Sequence, residues 1–212
     1  MKLRYFFVLI FAAALAASAA VACAASRPDV GGPFSLIDQD GARVTQKTFL
    51  GEPVLLYFGF TTCPDVCPLD LAKMAGIARR IRVEAGVDVT PVFVSIDPER
   101  DTPAKLKPYV RMFAKDFIGL TGTPQEIARI GDEYHVYYKK VPMRGGGYMM
   151  DHSTVLFLLG ADGAYLDHYG RALSIDEITG RAVAKLKAPS PSATAEPASD
   201  RSRRAAGNPE HS

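Results

Sequence analysis

The chain has 212 residues, 48% of them hydrophobic and 23% charged, with a formal net charge of +2. No basic stripe of the kind nucleic acid requires is present, and no internal repeat is visible. The size suits one domain with a full core, flanked by two segments of different composition.

The first segment is residues 1–25. Lys2 and Arg4 precede residues 5–25, which carry no charge. This pattern marks a targeting segment. Three fates fit it. Cleavage suits the small residues of Ala20-Val-Ala22, and the apolar run also reaches the roughly 20 residues needed to stay as a membrane anchor. Lipidation of Cys23 is the third, although Ala20 is a weak residue at its upstream position. All three place the remainder outside the cytoplasm. Without Lys2 and Arg4 the basic and acidic residues balance, so the mature chain is near neutral.

The folded part is expected over residues 29–187. Residues 34–44 read as a hairpin, because Asp40-Gly41 supplies turn chemistry between short apolar segments. Residues 54–60 form an apolar run suited to a strand covered on both faces. A helix follows over residues 69–85, with Leu71, Met74, Ile77 and Ile81 on one face and Gly86 to end it. Residues 89–96 are a second buried strand. Residues 102–113 are a helix with Thr102 as cap and Pro103 at its first position.

Thr123 caps a further helix from Pro124 to about His135. Residues 136–141 are a strand or extended segment, and Gly145-Gly-Gly147 a flexible loop. Residues 155–159 and 165–169 pair across Ala161-Asp-Gly163. Ser174 caps a last helix reaching about Lys187. Residues 188–212 contain no Leu, Ile, Val or aromatic side chain. They cannot offset their ordering entropy by burial, and read as a disordered tail.

Strands alternating with helices predict an α/β fold with helices on both faces of the sheet. The late hairpin makes that sheet mixed. Its first buried strand ends at two cysteines from which a helix departs, which is the thioredoxin-like arrangement.

Those cysteines are Cys63 and Cys67, in Phe60-Thr-Thr-Cys-Pro-Asp-Val-Cys-Pro68. A residue before proline avoids helical geometry, so the helix should begin near Pro68, with Cys63 to Cys67 as a tight loop. A helix N-terminus nearby favours the thiolate form. The spacing Cys-x-x-x-Cys is one residue longer than the redox motif. It still permits a disulfide, and it lets two sulfurs open around one ion. Two thiolates are too few for a closed zinc site, whereas soft Cu(I) accepts low coordination and favours sulfur.

His152, in Met149-Met-Asp-His-Ser-Thr154, precedes the strand at residues 155–159. Thioredoxin-like folds place this segment beside the cysteine loop, and redox members usually carry a proline there. A ligating residue in its place favours metal over plain disulfide exchange. Asp151 is either a group orienting the imidazole or a surface carboxylate. His135, His168 and His211 receive no role. Met143, Met149 and Met150 flank the glycine loop, where core packing is their commoner fate. The charges of Asp97-Pro-Glu-Arg-Asp-Thr-Pro103 follow the second strand and read chiefly as a local turn and helix cap.

Three stretches together resemble the Sco/SenC family of copper metallochaperones for cytochrome oxidase assembly. They are Tyr57-Phe-Gly-Phe-Thr-Thr-Cys-Pro-Asp-Val-Cys-Pro68, Phe93-Val-Ser-Ile-Asp-Pro-Glu-Arg-Asp-Thr-Pro103 and Met150-Asp-His-Ser-Thr154. The resemblance implies a thioredoxin-like domain on the periplasmic side of the inner membrane, anchored or exported. It implies one copper, Cu(I) or Cu(II), held by Cys63, Cys67 and His152. It implies delivery to the dinuclear copper centre of cytochrome c oxidase. The alternative activity is a thiol-disulfide oxidoreductase that uses Cys63 and Cys67 to reduce the copper-site cysteines of that oxidase subunit. Further implied partners are other copper chaperones or thiol reductants of the same compartment, and the membrane through the N-terminus.

Overall fold

The computed structural model describes residues 30–188. The targeting segment, Cys23, and the tail residues 189–212, with His211, lie outside them.

Strand β1 (Ser35–Asp38) and strand β2 (Arg43–Thr45) form the expected hairpin. Asp38 Oδ1 accepts from the backbone N–H groups of Asp40 and Ala42, at 2.8 and 2.9 Å, which closes the turn. Strand β3 (Val54–Gly59) is buried at every position, as its unbroken apolar run requires. Helix α1 (Val66–Ala85) turns Leu71, Met74, Ile77 and Ile81 to the core and ends at Gly86, which is left-handed with φ 67°. Strand β4 (Thr90–Ser95) lies parallel to β3.

Helix α2 (Pro103–Arg111) starts at the expected proline, but Thr102 occupies the cap position without a side-chain cap bond. Strand β5 (Ile118–Thr121), absent from the sequence reading, pairs parallel with β4 and antiparallel with β1. Four residues, one of them glycine, are too few to show a period. Gly119 is needed there, because a Cβ would stand 2.9 Å from Val110 Cγ1 of α2.

Helix α3 (Pro124–Glu133) carries a full capping box between Thr123 and Glu126. Strand β6 (Tyr138–Pro142) and strand β7 (Tyr148–His152) then form an antiparallel ribbon of their own. The sequence reading had only the first of these two strands. Gly145, Gly146 and Gly147 all take positive φ in the turn that joins them. Strand β8 (Val155–Leu159) and strand β9 (Tyr165–Gly170) make the predicted late hairpin. Helix α4 (Ile175–Lys187), capped by Ser174, packs against α1.

The main sheet has seven strands in the order β2-β1-β5-β4-β3-β8-β9. Strands β3, β4 and β5 are parallel and the rest antiparallel, so the sheet is mixed as expected. Helices flank it. Phe58, Phe93, Leu56 and Leu158 are among the side chains sealed in its core. The inner strand β3 delivers the cysteine loop, and β8 beside it receives the chain from β7 and His152. No helix among the described residues is long and apolar enough to cross a membrane.

Candidate metal centre

The cysteine loop leaves β3 and enters α1 within a few residues. The helix begins at Val66, two residues earlier than the proline argument predicts, so Cys67 lies inside its first turn. Pro68 is tolerated there because first-turn N–H groups have no intrahelical acceptor. The cap residue Asp65 makes no side-chain cap bond. Cys63 Sγ takes that place, accepting from Cys67 N at 3.4 Å.

Cys63 is half-buried, Cys67 is buried, and both are free thiols. Gly59 makes the room for Cys67, since a Cβ at Gly59 would lie 2.9 Å from its sulfur. Burial pushes the Cys67 thiol up to about 12, and the neighbouring Cys63 adds to the shift. At Cys67 desolvation therefore works against the thiolate that the helix N-terminus was expected to favour.

His152, at the end of β7, meets the cysteine loop through its Nε2, 3.7 Å from Cys67 Sγ. Its Nδ1 lies 2.8 Å from the carbonyl oxygen of Ser153. A carbonyl only accepts, so the proton sits on Nδ1 and Nε2 keeps its lone pair toward the sulfur. Burial also pulls the imidazole below its ordinary value, which favours the neutral ring. The protonated thiol of Cys67 then donates to Nε2. Tyr57 and Phe60 meet the imidazole ring edge-on, with centroids 6.3 and 5.7 Å away.

The group that orients the imidazole is thus a backbone carbonyl. Asp151 is exposed, opposite Lys139 in the ribbon, and is the surface carboxylate of the two readings. His168 meets Tyr165 on β9, and His135 lies beyond α3 with φ 53°. Neither belongs to this site. Met150 is buried and Met143 is exposed at the ribbon turn.

Sequence reasoning gave too little to two acidic residues after β4. Asp101 is fully buried and accepts from Thr61 N at 2.9 Å, Thr61 Oγ1 at 2.5 Å and Ser95 Oγ at 2.6 Å. Asp97, equally buried, accepts from Tyr148 Oη at 2.7 Å. The visible signal was the density of charge directly after a buried strand. Tyr57 was also passed over; its hydroxyl donates to Asp70 at 2.9 Å beneath the site.

The structure therefore brings Cys67 and His152 together and leaves Cys63 Sγ on the helix cap. Among the described residues, no three His, Cys, Asp or Glu side chains converge closely enough to hold an ion as they stand. Metal–sulfur bonds of about 2.3 Å and metal–nitrogen bonds of about 2.0 Å, opened by about 120°, span roughly 3.7 Å. The Cys67–His152 separation of 3.7 Å already matches that span. Two thiols and an imidazole with a free lone pair are a donor set for a soft ion.

A family model for SCO1/SenC matches residues 23–187. The chain belongs to the SCO1/SenC family. It is 44% identical over 163 residues to the mitochondrial SCO1 homolog 1 of Arabidopsis thaliana, covering 77% of this chain and 49% of that protein. It is 44% identical over 147 residues to the human mitochondrial SCO1 homolog, covering 68% of this chain and 49% of that protein. The chain thus spans about half the length of these curated relatives. The crystal structure of Arabidopsis thaliana ScoI with copper bound superposes with a TM-score of 0.73 at 44% identity, over 74% of this chain and 98% of that one. These SCO1/SenC relatives share the thioredoxin-like architecture described above.

Proposed function

We propose that this SCO1/SenC domain is a copper-binding assembly factor. It holds one copper ion at Cys63, Cys67 and His152, and passes it to the dinuclear copper centre of cytochrome c oxidase on the periplasmic side of the inner membrane. The observation that carries the reading is His152 Nε2, presented at 3.7 Å to Cys67 Sγ by a ring whose other nitrogen is tied to Ser153. Cys63 completes the set by turning its sulfur inward from the helix cap. Each thiol releases its proton as it takes the ion. Transfer is then a ligand exchange, in which the partner's thiolates replace this chain's one at a time. The relative solved with copper bound supports the choice of metal.

The test is an anaerobic Cu(I) titration of the reduced chain against a competing chelator. One ion per chain is expected, with affinity reduced at least about tenfold in His152→Ala. Unchanged affinity in the variant removes His152 as a ligand, and no stoichiometric binding removes the copper role.

A second reading is favoured by the unequal exposure of the two thiols. The more accessible Cys63 attacks a disulfide in the oxidase subunit and Cys67 resolves the mixed disulfide. The partner gains two thiols and this chain is left oxidised. That reading needs no metal, so disulfide reduction at a useful rate by the metal-free chain separates it from the copper role.

A further inference from the structure

The two halves of the proposed site are tied to one loop. Residues 97–101 follow β4, and their two buried carboxylates reach in different directions. Asp101 holds the backbone and hydroxyl of Thr61, two residues before Cys63. Asp97 holds the hydroxyl of Tyr148, four residues before His152, at 2.7 Å.

Arg100 completes the second attachment. Its Nε pairs with Asp97, its Nη1 donates to the Tyr148 carbonyl at 2.9 Å, and its guanidinium lies 3.9 Å over the Tyr148 ring. Tyr148 is therefore held by its hydroxyl, its carbonyl and its face. Lys140 of β6 adds a contact from the other strand, with Nζ 4.7 Å from the same ring and 2.5 Å from Glu99.

The attachment matters because of what Tyr148 sits on. Strands β6 and β7 form a two-stranded ribbon outside the main sheet. Such a ribbon is marginal by itself, so its position is set by its tethers. Side chains alternate along a strand, which places Tyr148, Met150 and His152 on one face of β7. Tyr148 is anchored at one end of that face, Met150 is buried in its middle, and His152 meets Cys67 at the other end.

We infer that Asp97, Arg100 and Tyr148 are positioning residues for His152. They seat the ribbon so that the imidazole reaches the cysteine loop, whose own placement is fixed by Asp101 from the same short segment. The inference rests on the copper reading of the site. A single loop thus sets the separation between the sulfur and nitrogen donors, and none of the three residues is itself a ligand.

The test is a double-mutant cycle on the reduced full chain, with Cu(I) and a competing chelator as the probe. Tyr148→Phe removes the hydroxyl that Asp97 holds and keeps the ring. Its affinity is expected to fall about tenfold, as for other groups that orient a metal ligand. In a His152→Ala background the same change is expected to cost nothing further. In the metal-free protein, the His152 imidazole signals in the NMR spectrum are expected to shift or broaden with Tyr148→Phe. Equal losses in both backgrounds, or no loss with His152 present, overturn the positioning role. If His152→Ala alone leaves affinity intact, His152 is not a ligand and this inference falls with that part of the copper reading. If His152→Ala weakens binding and Tyr148→Phe does not, only the positioning role is lost. Should Tyr148→Phe fail to fold, Arg100→Lys keeps the charge toward Asp97 without the fork, and the same cycle applies.

Discussion

Gly59 and Cys67 meet so closely that a Cβ on the glycine would stand 2.9 Å from the cysteine sulfur and 2.9 Å from the Phe93 ring. Both neighbours are sealed in the core, so neither has open space to yield into. Gly59→Ala is expected to destabilise the domain by about 1–3 kcal/mol, the usual cost of overpacking. The displaced sulfur also loses its alignment with His152, so Cu(I) affinity falls in the folded fraction. Urea denaturation and chelator competition read the two effects separately. Wild-type values in both would show that the sulfur's seat is not set by this contact.

The two thiols are expected to differ in reactivity. Thiolate is the nucleophile, and burial pushes Cys67 up to about 12. At pH 8 Cys67 is then held almost wholly as the thiol. Cys63 is partly open and caps the helix by its sulfur. With iodoacetamide on the reduced, metal-free chain, peptide mapping by mass spectrometry should find Cys63 modified first. Cys67 should follow only slowly or after unfolding. Equal rates for the two would mean that Cys67 is not buried in solution.

The parts of the fold that were legible carry local signals. The apolar run of β3, the cap residues Thr123 and Ser174, and the Asp-Gly turn of the first hairpin each report their own structure. Strand β5 carries no such signal, because its place is decided by pairing with β4 and β1 and by the approach of α2 over Gly119. Strand β7 was hidden for a related reason. Its partner is β6 and its register depends on a turn of three glycines, which read more readily as a loop. At the candidate site, residue types singled out Cys63, Cys67 and His152, of which the structure brings Cys67 and His152 together. The burial that raises Cys67, and the reach of Asp97 and Asp101 across the fold, are tertiary facts.

Asp101 gives the third prediction. Its carboxylate is fully buried and satisfies the Thr61 backbone, the Thr61 hydroxyl and the Ser95 hydroxyl. Asp101→Ala strands three donors at once. A loss on the order of 3 kcal/mol in unfolding free energy is expected. Because Thr61 opens the cysteine loop, hydrogen exchange at residues 61–63 should accelerate more than at α4. Uniform acceleration across the domain would show that Asp101 supports the core generally and does not hold this loop.

Acid stability tests the helix caps. Glu126 is held below the usual carboxylate range by the Thr123 backbone N–H, at 2.8 Å, and then by Arg43. Glu177 is held down by the Ser174 backbone N–H, at 2.7 Å, and by the Ser174 hydroxyl. In each case the folded chain binds its proton less readily than the unfolded chain does. Between the two values the unfolded state carries more protons, so stability rises with pH. The contribution is complete above the ordinary glutamate value near 4.5 and is lost as pH falls through the lower folded value. Glu126→Gln with Glu177→Gln keeps both capping shapes and removes both charges. Its melting temperature should lie below that of the parent at pH 6, and the gap should narrow as pH falls below the ordinary glutamate range. A gap of constant size as pH falls would assign the difference to packing and leave the charges with no part in it.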